Sequence, residues 1–158
     1  MNTSKQGLEL LIAREDKRPA AYLDTRGIPT IGIGHTGPEV HMGLVWNDAQ
    51  IQTAFASDIA KFEAAVSSAV KVALTQNQFD ALVSFSHNAG QFALAYGDHG
   101  GPCSILRALN AGNYAGAAAA FNNWCNPPEI TPRRMGEKAQ FMGTLFTARV
   151  GPDGKAAA

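Results

Sequence analysis

The sequence predicts an α+β chain, mostly helical and two-lobed: a small β-hairpin lobe near the N-terminus, a long connecting helix and a helical C-terminal lobe. Three observations carry this. Apolar residues recur in steps of four and three at Ile51, Phe55, Ile59, Phe62, Val66 and Val70, the pattern of one helix face. Tyr22 and Leu23, then Asp24-Thr25-Arg26-Gly27, then Ile28 to Ile33 read as strand, turn, strand. After Thr75 the strand signals stop and helix signals follow one another. The 158 residues suit a single domain, with lobes at about 15–46 and 75–150 joined by a helix at about 47–72.

Element by element, Thr3 and Gln6 have capping-box spacing, and Leu8, Leu11 and Ile12 form an apolar stripe behind them. This predicts a helix from about Ser4 to Arg14 that delivers Glu15 at or just past its C-terminal end. Pro29 suits only a small, edge-like hairpin. Gly32 and Gly34 alternate with Ile31 and Ile33, leaving one face as bare backbone open to close approach. Asn47 caps the long helix. A second box, Thr75 to Gln78, opens a helix carrying Phe79, Leu82, Val83 and Phe85 that Gly90 stops. Residues 91–102 read as loop. Helices follow at about 104–110, at 113–124, and from Pro132 onward with Thr131 as N-cap, and the tail GPDGKAAA reads as frayed. Trp124 and the phenylalanines at helical spacing read as core, and the alanine run 117–120 as helix propensity.

Composition sets limits. Lysine plus arginine equals aspartate plus glutamate at 13 each, so no global field draws the chain to nucleic acid or an acidic membrane. The N-terminal stretch has only a short apolar cluster with acids inside it, and no segment approaches a membrane span, so a cytosolic protein is expected. Cys103 and Cys125 lack a CxxC spacing and read as two reduced, small apolar side chains.

The chemistry concentrates in EDKRPAAYLDTRGIPTIGIGH. Eight residues separate Glu15 from Asp24, and five separate Asp24 from Thr30. With Glu15 closing a helix and Asp24 at a hairpin turn, two carboxylates can face each other across a gap. Such a pair in unlike environments is the minimum equipment for glycoside cleavage, and a neighbouring threonine hydroxyl can hold the attacking water. The same residues also read as a solvated mixed-charge run and a turn aspartate with its own backbone work.

The run resembles the active-site segment of the phage-type (T4-like) lysozymes, the endolysins of glycoside hydrolase family 24. Their pattern is a glutamate, eight residues, an aspartate or cysteine, five residues, then a threonine leading into TIGxGH. Glu15, Asp24, Thr30 and the following IGIGH match it without a gap, with Tyr22 and Gly27 also in place. ALVSFSHNAG, SILRALNAGNYAGAAAAFNNW and RRMGEKAQF resemble the family's later helices. Position 87 departs from the pattern, being histidine where an aromatic is usual, and residues 96–102 and 126–131 read as local variants.

The resemblance implies a lysozyme-like fold and a muramidase that hydrolyses the β-1,4 bond between N-acetylmuramic acid and N-acetylglucosamine. Glu15 is then the general acid, and Asp24 with Thr30 positions a water on the opposite sugar face. That single displacement asks for carboxyls roughly 6.5–9.5 Å apart. Thr36, His87 and Ile105 fall at substrate-contacting positions, and Asn88 reads either as a cleft hydrogen-bonder that binds substrate or as a helix C-terminal residue. His35 is either a base or a structural histidine tied to a nearby acid or to backbone, the second being the family's use. Arg133 and Arg134 sit on a helix N-terminal turn, unfavourable for cations, and one of them is expected to reach Glu15. Glu15 itself is expected to have an elevated pKa from a neighbouring carboxylate and burial. No metal or cofactor is implied. The implied partner is peptidoglycan glycan, the chain being a monomer in the host cytoplasm until a holin opens the membrane. A lytic transglycosylase and a silent wall-binding module are the competing readings.

Overall fold

The computed structural model describes residues 1–97 and 100–144, so the expectation for the tail lies outside the described residues. Helix α1 spans Lys5–Glu15, strand β1 Arg18–Leu23, β2 Pro29–Gly32, α2 Asp48–Ala69, α3 Gln76–Ala89, α4 Ser104–Asn110, α5 Tyr114–Ala120 and α6 Thr131–Phe141. Two 3₁₀ turns, Phe121–Trp124 and Pro128–Ile130, lie between α5 and α6. The α+β, mostly helical class expected from the sequence is the one observed, and the single helix expected at 113–124 tightens into the first 3₁₀ turn at Phe121.

The helix starts are mostly those the sequence marks. Asn47 and Gln50 form a capping box on α2, as do Thr75 and Gln78 on α3. Two differ by one residue. Ser4, not Thr3, caps α1: its Oγ accepts from Gly7 N at 3.0 Å and donates to Asp80. Asp80 is a buried α3 carboxylate, and a Cβ on Gly7 would stand 2.6 Å from its Cγ. A glycine inside α1 is therefore the condition for seating that helix on α3. Thr131 falls inside α6, whose cap is Ile130, because the preceding 3₁₀ turn already carries helical dihedrals into it.

The hairpin pairs Tyr22 with Thr30 and Leu23 with Pro29. A third segment runs along the other edge of β1: Ala21 N donates to Leu44 O and Trp46 N to Pro19 O. Gly32 and Gly34 both have φ of +69° and frame the turn in which Ile31 and His35 exchange backbone hydrogen bonds at 2.9 Å.

Below the hairpin, Ile51, Phe55, Ile59 and Val66 of α2 are buried against α3, whose residues 79–86 are all buried. Helices α2, α1 and α6 all pack on α3, which makes it the axis of the molecule. Trp124 packs edge-on to Phe85 at 5.1 Å. Cys103 and Cys125 are both free thiols.

One buried polar link ties the hairpin lobe to α2. His35 Nδ1 lies 2.6 Å from Asp58 and Nε2 2.8 Å from Glu39. Burial alone lowers the imidazole pKa, but the hydrogen bonds to Asp58 and Glu39 reverse this and hold it above the ordinary 6.5. A raised folded-state value stabilises the protein below the unfolded value and loses that contribution as pH climbs through the folded one. Urea stability is accordingly expected to decline as pH rises above 6.5. Asp58→Asn should flatten the decline, and a wild-type curve already flat there contradicts the assignment.

Candidate active site

Glu15 is the last residue of α1. Asp16 ends the helix at φ 64° and ψ 166°, backbone normally reserved for glycine, and turns the chain sharply into β1. The Glu15 carboxyl is left projecting where α1, α3 and α6 converge with the turn after β2. Its Oε1 lies 3.0 Å from His87 Nδ1 of α3 and 2.6 Å from Arg133 Nη1 of α6. On the other side, a Cβ at Gly34 would stand 2.9 Å from Oε2. Of the two glycines expected on a bare face, Gly34 is where the carboxyl approaches, while Gly32 is buried against Ile51 and Trp46.

The elevated pKa expected for Glu15 is overturned. Burial does push it up, but the His87 hydrogen bond and the Arg133 charge outweigh burial and lower it to about 2. The neighbours that decide the matter are two nitrogen donors, brought in by helices far along the chain, rather than a second carboxylate.

Asp24 works in the turn. Its Oδ1 accepts from Arg26 N and Ile28 N, both at 2.8 Å, and its Oδ2 from the Arg26 guanidinium at 3.0 and 3.1 Å. Burial raises its pKa, and these hydrogen bonds more than offset that, so it lies below the usual 3.8 and Asp24 is ionised at neutral pH. The turn aspartate anticipated from DTRG is thus held, ionised, by the turn's own backbone and by Arg26. Thr30 pairs across the hairpin with Tyr22, and its Oγ1 donates to Ile28 O at 2.9 Å. With that proton committed, the hydroxyl offers a water only lone pairs. Tyr22 stands between the acids: burial raises its pKa first, the stacked Arg18 guanidinium opposes, and the charges of Glu15 and Asp24 add to the rise.

Other expected site residues are placed differently. Ile105 is fully buried in the core, so it contacts no sugar. The His87 side chain is only 3% exposed, its ring against Phe62 at 5.0 Å and Phe55 at 6.3 Å, and it faces Glu15 instead of solvent. Asn88 is half-buried and accepts from Arg134 through Oδ1. Thr36 is exposed. His35 serves the Asp58–Glu39 link described above. A groove of about 550 Å³ opens beside His35, Trp46 and Lys61, but none of Glu15, Asp24 and Thr30 lines it.

Arg133 and Arg134 divide the work. Arg133 reaches Glu15, while Arg134 pairs with Glu137 and donates to Trp124 O. The sequence reading missed Glu137 as a site component. This buried carboxylate also accepts from Arg133 Nε at 3.0 Å and from Ser84 Oγ at 2.8 Å. Arg14 completes the cluster through Ser84 and Gln140, and burial lowers its pKa to about 10. Three guanidiniums thus face two carboxylates, an excess of positive charge that favours the ionised form of Glu15. The i, i+4 and i, i+3 spacings of Arg133 and Arg134 to Glu137 were the available signal. Among the described residues no group of three or more His, Cys, Asp or Glu side chains is arranged to hold a metal ion.

A carboxyl at the end of α1, beside a hairpin that carries an ionised aspartate and an acceptor hydroxyl, is the arrangement a glycosidase of lysozyme architecture would use. The phage lysozyme family model matches residues 13–137, and the chain belongs to that family. It is 39% identical over 150 residues to the endolysin of Salmonella phage P22, covering 90% of this chain and 99% of that protein. The crystal structure of a P22 lysozyme mutant aligns with a TM-score of 0.73 over the same shares. The muramidase domain of SpmX from Asticaccaulis excentricus aligns with a TM-score of 0.76 at 33% identity, covering 89% of this chain and 97% of that one. A protein of Escherichia phage Mu named a SAR-endolysin is 34% identical over 114 residues, 72% of this chain and 63% of that protein.

Proposed function

We infer that this lysozyme is an endolysin muramidase, hydrolysing the β-1,4 bond between N-acetylmuramic acid and N-acetylglucosamine in peptidoglycan during host lysis. The observation that carries it is the Glu15 carboxyl, one oxygen gripped by Arg133 and His87 and the other held over the bare backbone of Gly34. In this proposal the sugar lies between lobes of about residues 15–46 and 75–150. Glu15 protonates the leaving oxygen, and Asp24 with Thr30 directs a water to the opposite face.

The acid must carry a proton at the moment of cleavage. The Glu15 side chain is 14% exposed and ionised at neutral pH. A sugar filling the cleft removes its remaining water and raises the energetic penalty of the charge, which favours proton uptake as substrate binds. Thr36, exposed near the hairpin exit, and half-buried Asn88 remain the proposed sugar contacts.

Among the described residues no helix is long and apolar enough to cross a membrane. With that in view we also propose a monomer that stays in the host cytoplasm until a separate holin opens the membrane. Folded enzyme in the periplasm of cells lacking a holin contradicts this release route.

The direct test of the activity is clearing of permeabilised Gram-negative cells. The turbidity of the suspension should fall on addition of the protein, and cells that stay turbid at every pH between 4 and 8 overturn the muramidase reading.

A further inference from the structure

We propose that His87 is a positioning residue for the acid: with Arg133 it occupies Oε1 of Glu15, leaving Oε2, above Gly34, as the oxygen that delivers the proton. The inference rests on the lysozyme reading and deepens it, because it assigns a task to the residue that departs from the family's pattern. A carboxylate oxygen offers about two lone-pair directions. A guanidinium can only donate, so Arg133 at 2.6 Å takes one direction on Oε1, and the N–H on Nδ1 of His87 at 3.0 Å takes the other. Among the described residues no such donor is recorded on Oε2, which faces Gly34, where a Cβ would stand 2.9 Å from it.

The ring is wedged between α2 and the Gly34 backbone, where a Cβ would stand 3.0 Å from its Cε1. From α2 it meets the rings of Phe55 and Phe62, and its side chain is only 3% exposed. The charged and titratable groups around the pair are Arg133, Arg134 and Glu137 from α6, Arg14 beside Glu15 on α1, and Asp24 and Tyr22 across the hairpin. Substitution of His87 by an apolar ring removes one charge-assisted hydrogen bond from Oε1 and leaves Arg133 in place. That change favours protonated Glu15, and it lets the carboxyl rotate so that either oxygen can carry the proton.

The test uses the full chain carrying ¹³Cδ-labelled glutamate, with the Glu15 signal assigned by its absence in Glu15→Gln. In wild type that signal should titrate well below the ordinary 4.5. In His87→Phe the midpoint should move up by about one pH unit, the expected loss for a hydrogen bond to a charged group. His87→Asn restores an N–H donor near the position of Nδ1 and should return the midpoint toward wild type. On peptidoglycan, the high-pH limb of kcat/KM should shift upward with the titration in His87→Phe while KM stays within twofold, since the ring touches no substrate. An unmoved Glu15 midpoint in His87→Phe, or a failure of His87→Asn to rescue it, overturns the proposal. A rise in KM with no shift in the limb does the same and returns His87 to sugar binding. A wild-type protein that digests no wall would instead sink the lysozyme reading, and the titration would still decide whether His87 holds Glu15.

Discussion

Glu15→Gln is expected to fold as wild type does and to clear permeabilised cells about 10²–10⁴-fold more slowly, the contribution typical of a positioned general acid. The amide matches the carboxyl in shape, and its oxygen can still accept from Arg133 and His87 at Oε1. What it lacks is a transferable proton. Unchanged far-UV circular dichroism and retained binding to purified wall should accompany the loss. The variant also has a thermodynamic signature. Because the Glu15 pKa is lowered from 4.5 to about 2, its ionisation stabilises the fold above pH 4.5, and this contribution is lost as pH falls through the window between the two values. Wild type should therefore lose stability on acidification through that window more steeply than Glu15→Gln. Equal clearing by the two proteins would remove the acid from the mechanism.

Glu137→Gln should be the most destabilising single change in the site, by about 3–5 kcal/mol, the range for breaking a buried ion pair from one side. Glu137 is fully buried and binds Arg134, 1% exposed, as well as Arg133 and Ser84. Without its charge, Arg14, Arg133 and Arg134 remain confined together with only Glu15 opposing them. A loss of this size is a large share of the 5–15 kcal/mol of a typical domain and lowers Tm by roughly 10 °C in a chain of this length. Activity should fall by more than the unfolded fraction explains, because Arg133 loses the partner that aims it at Glu15. Thermal unfolding and the residual clearing rate at low temperature read the two effects separately. A Tm within about 2 °C of wild type would mean that the cluster does not depend on Glu137.

The parts of this site that the sequence made legible are those whose chemistry is local. Glu15 ends the helix that leads into the hairpin, and Asp24 and Thr30 lie in the hairpin itself, so spacing along the chain converts almost directly into spacing in the fold, and Gly34 marks where the carboxyl comes close. The long helix was readable because Ile51, Phe55, Ile59 and Val66 all bury one stripe. The state of the acid was not readable. His87 and Arg133 come to Glu15 from α3 and α6, and only the packing of those helices against each other turns a mixed-charge surface motif into a gripped carboxylate. The expectation of a raised pKa failed for that reason alone. The same holds for His35 and Asp58: a carboxylate on the flank of an apolar helix stripe gives no sign, in one dimension, that a histidine will meet it. The caps at Ser4 and Ile130 show the smaller ambiguity, since neighbouring residues compete and Asp80, distant in sequence, decides for Ser4.

The chemistry at Glu15, Asp24 and Thr30 is tested most directly by the first product formed from purified glycan strands, observed by proton NMR before the anomers equilibrate. Attack by a water held on the face opposite Glu15 predicts a new reducing-end N-acetylmuramic acid that appears first as the α anomer, each cut adding the mass of one water. A β anomer appearing first, or an anhydro sugar with no added water, would contradict it.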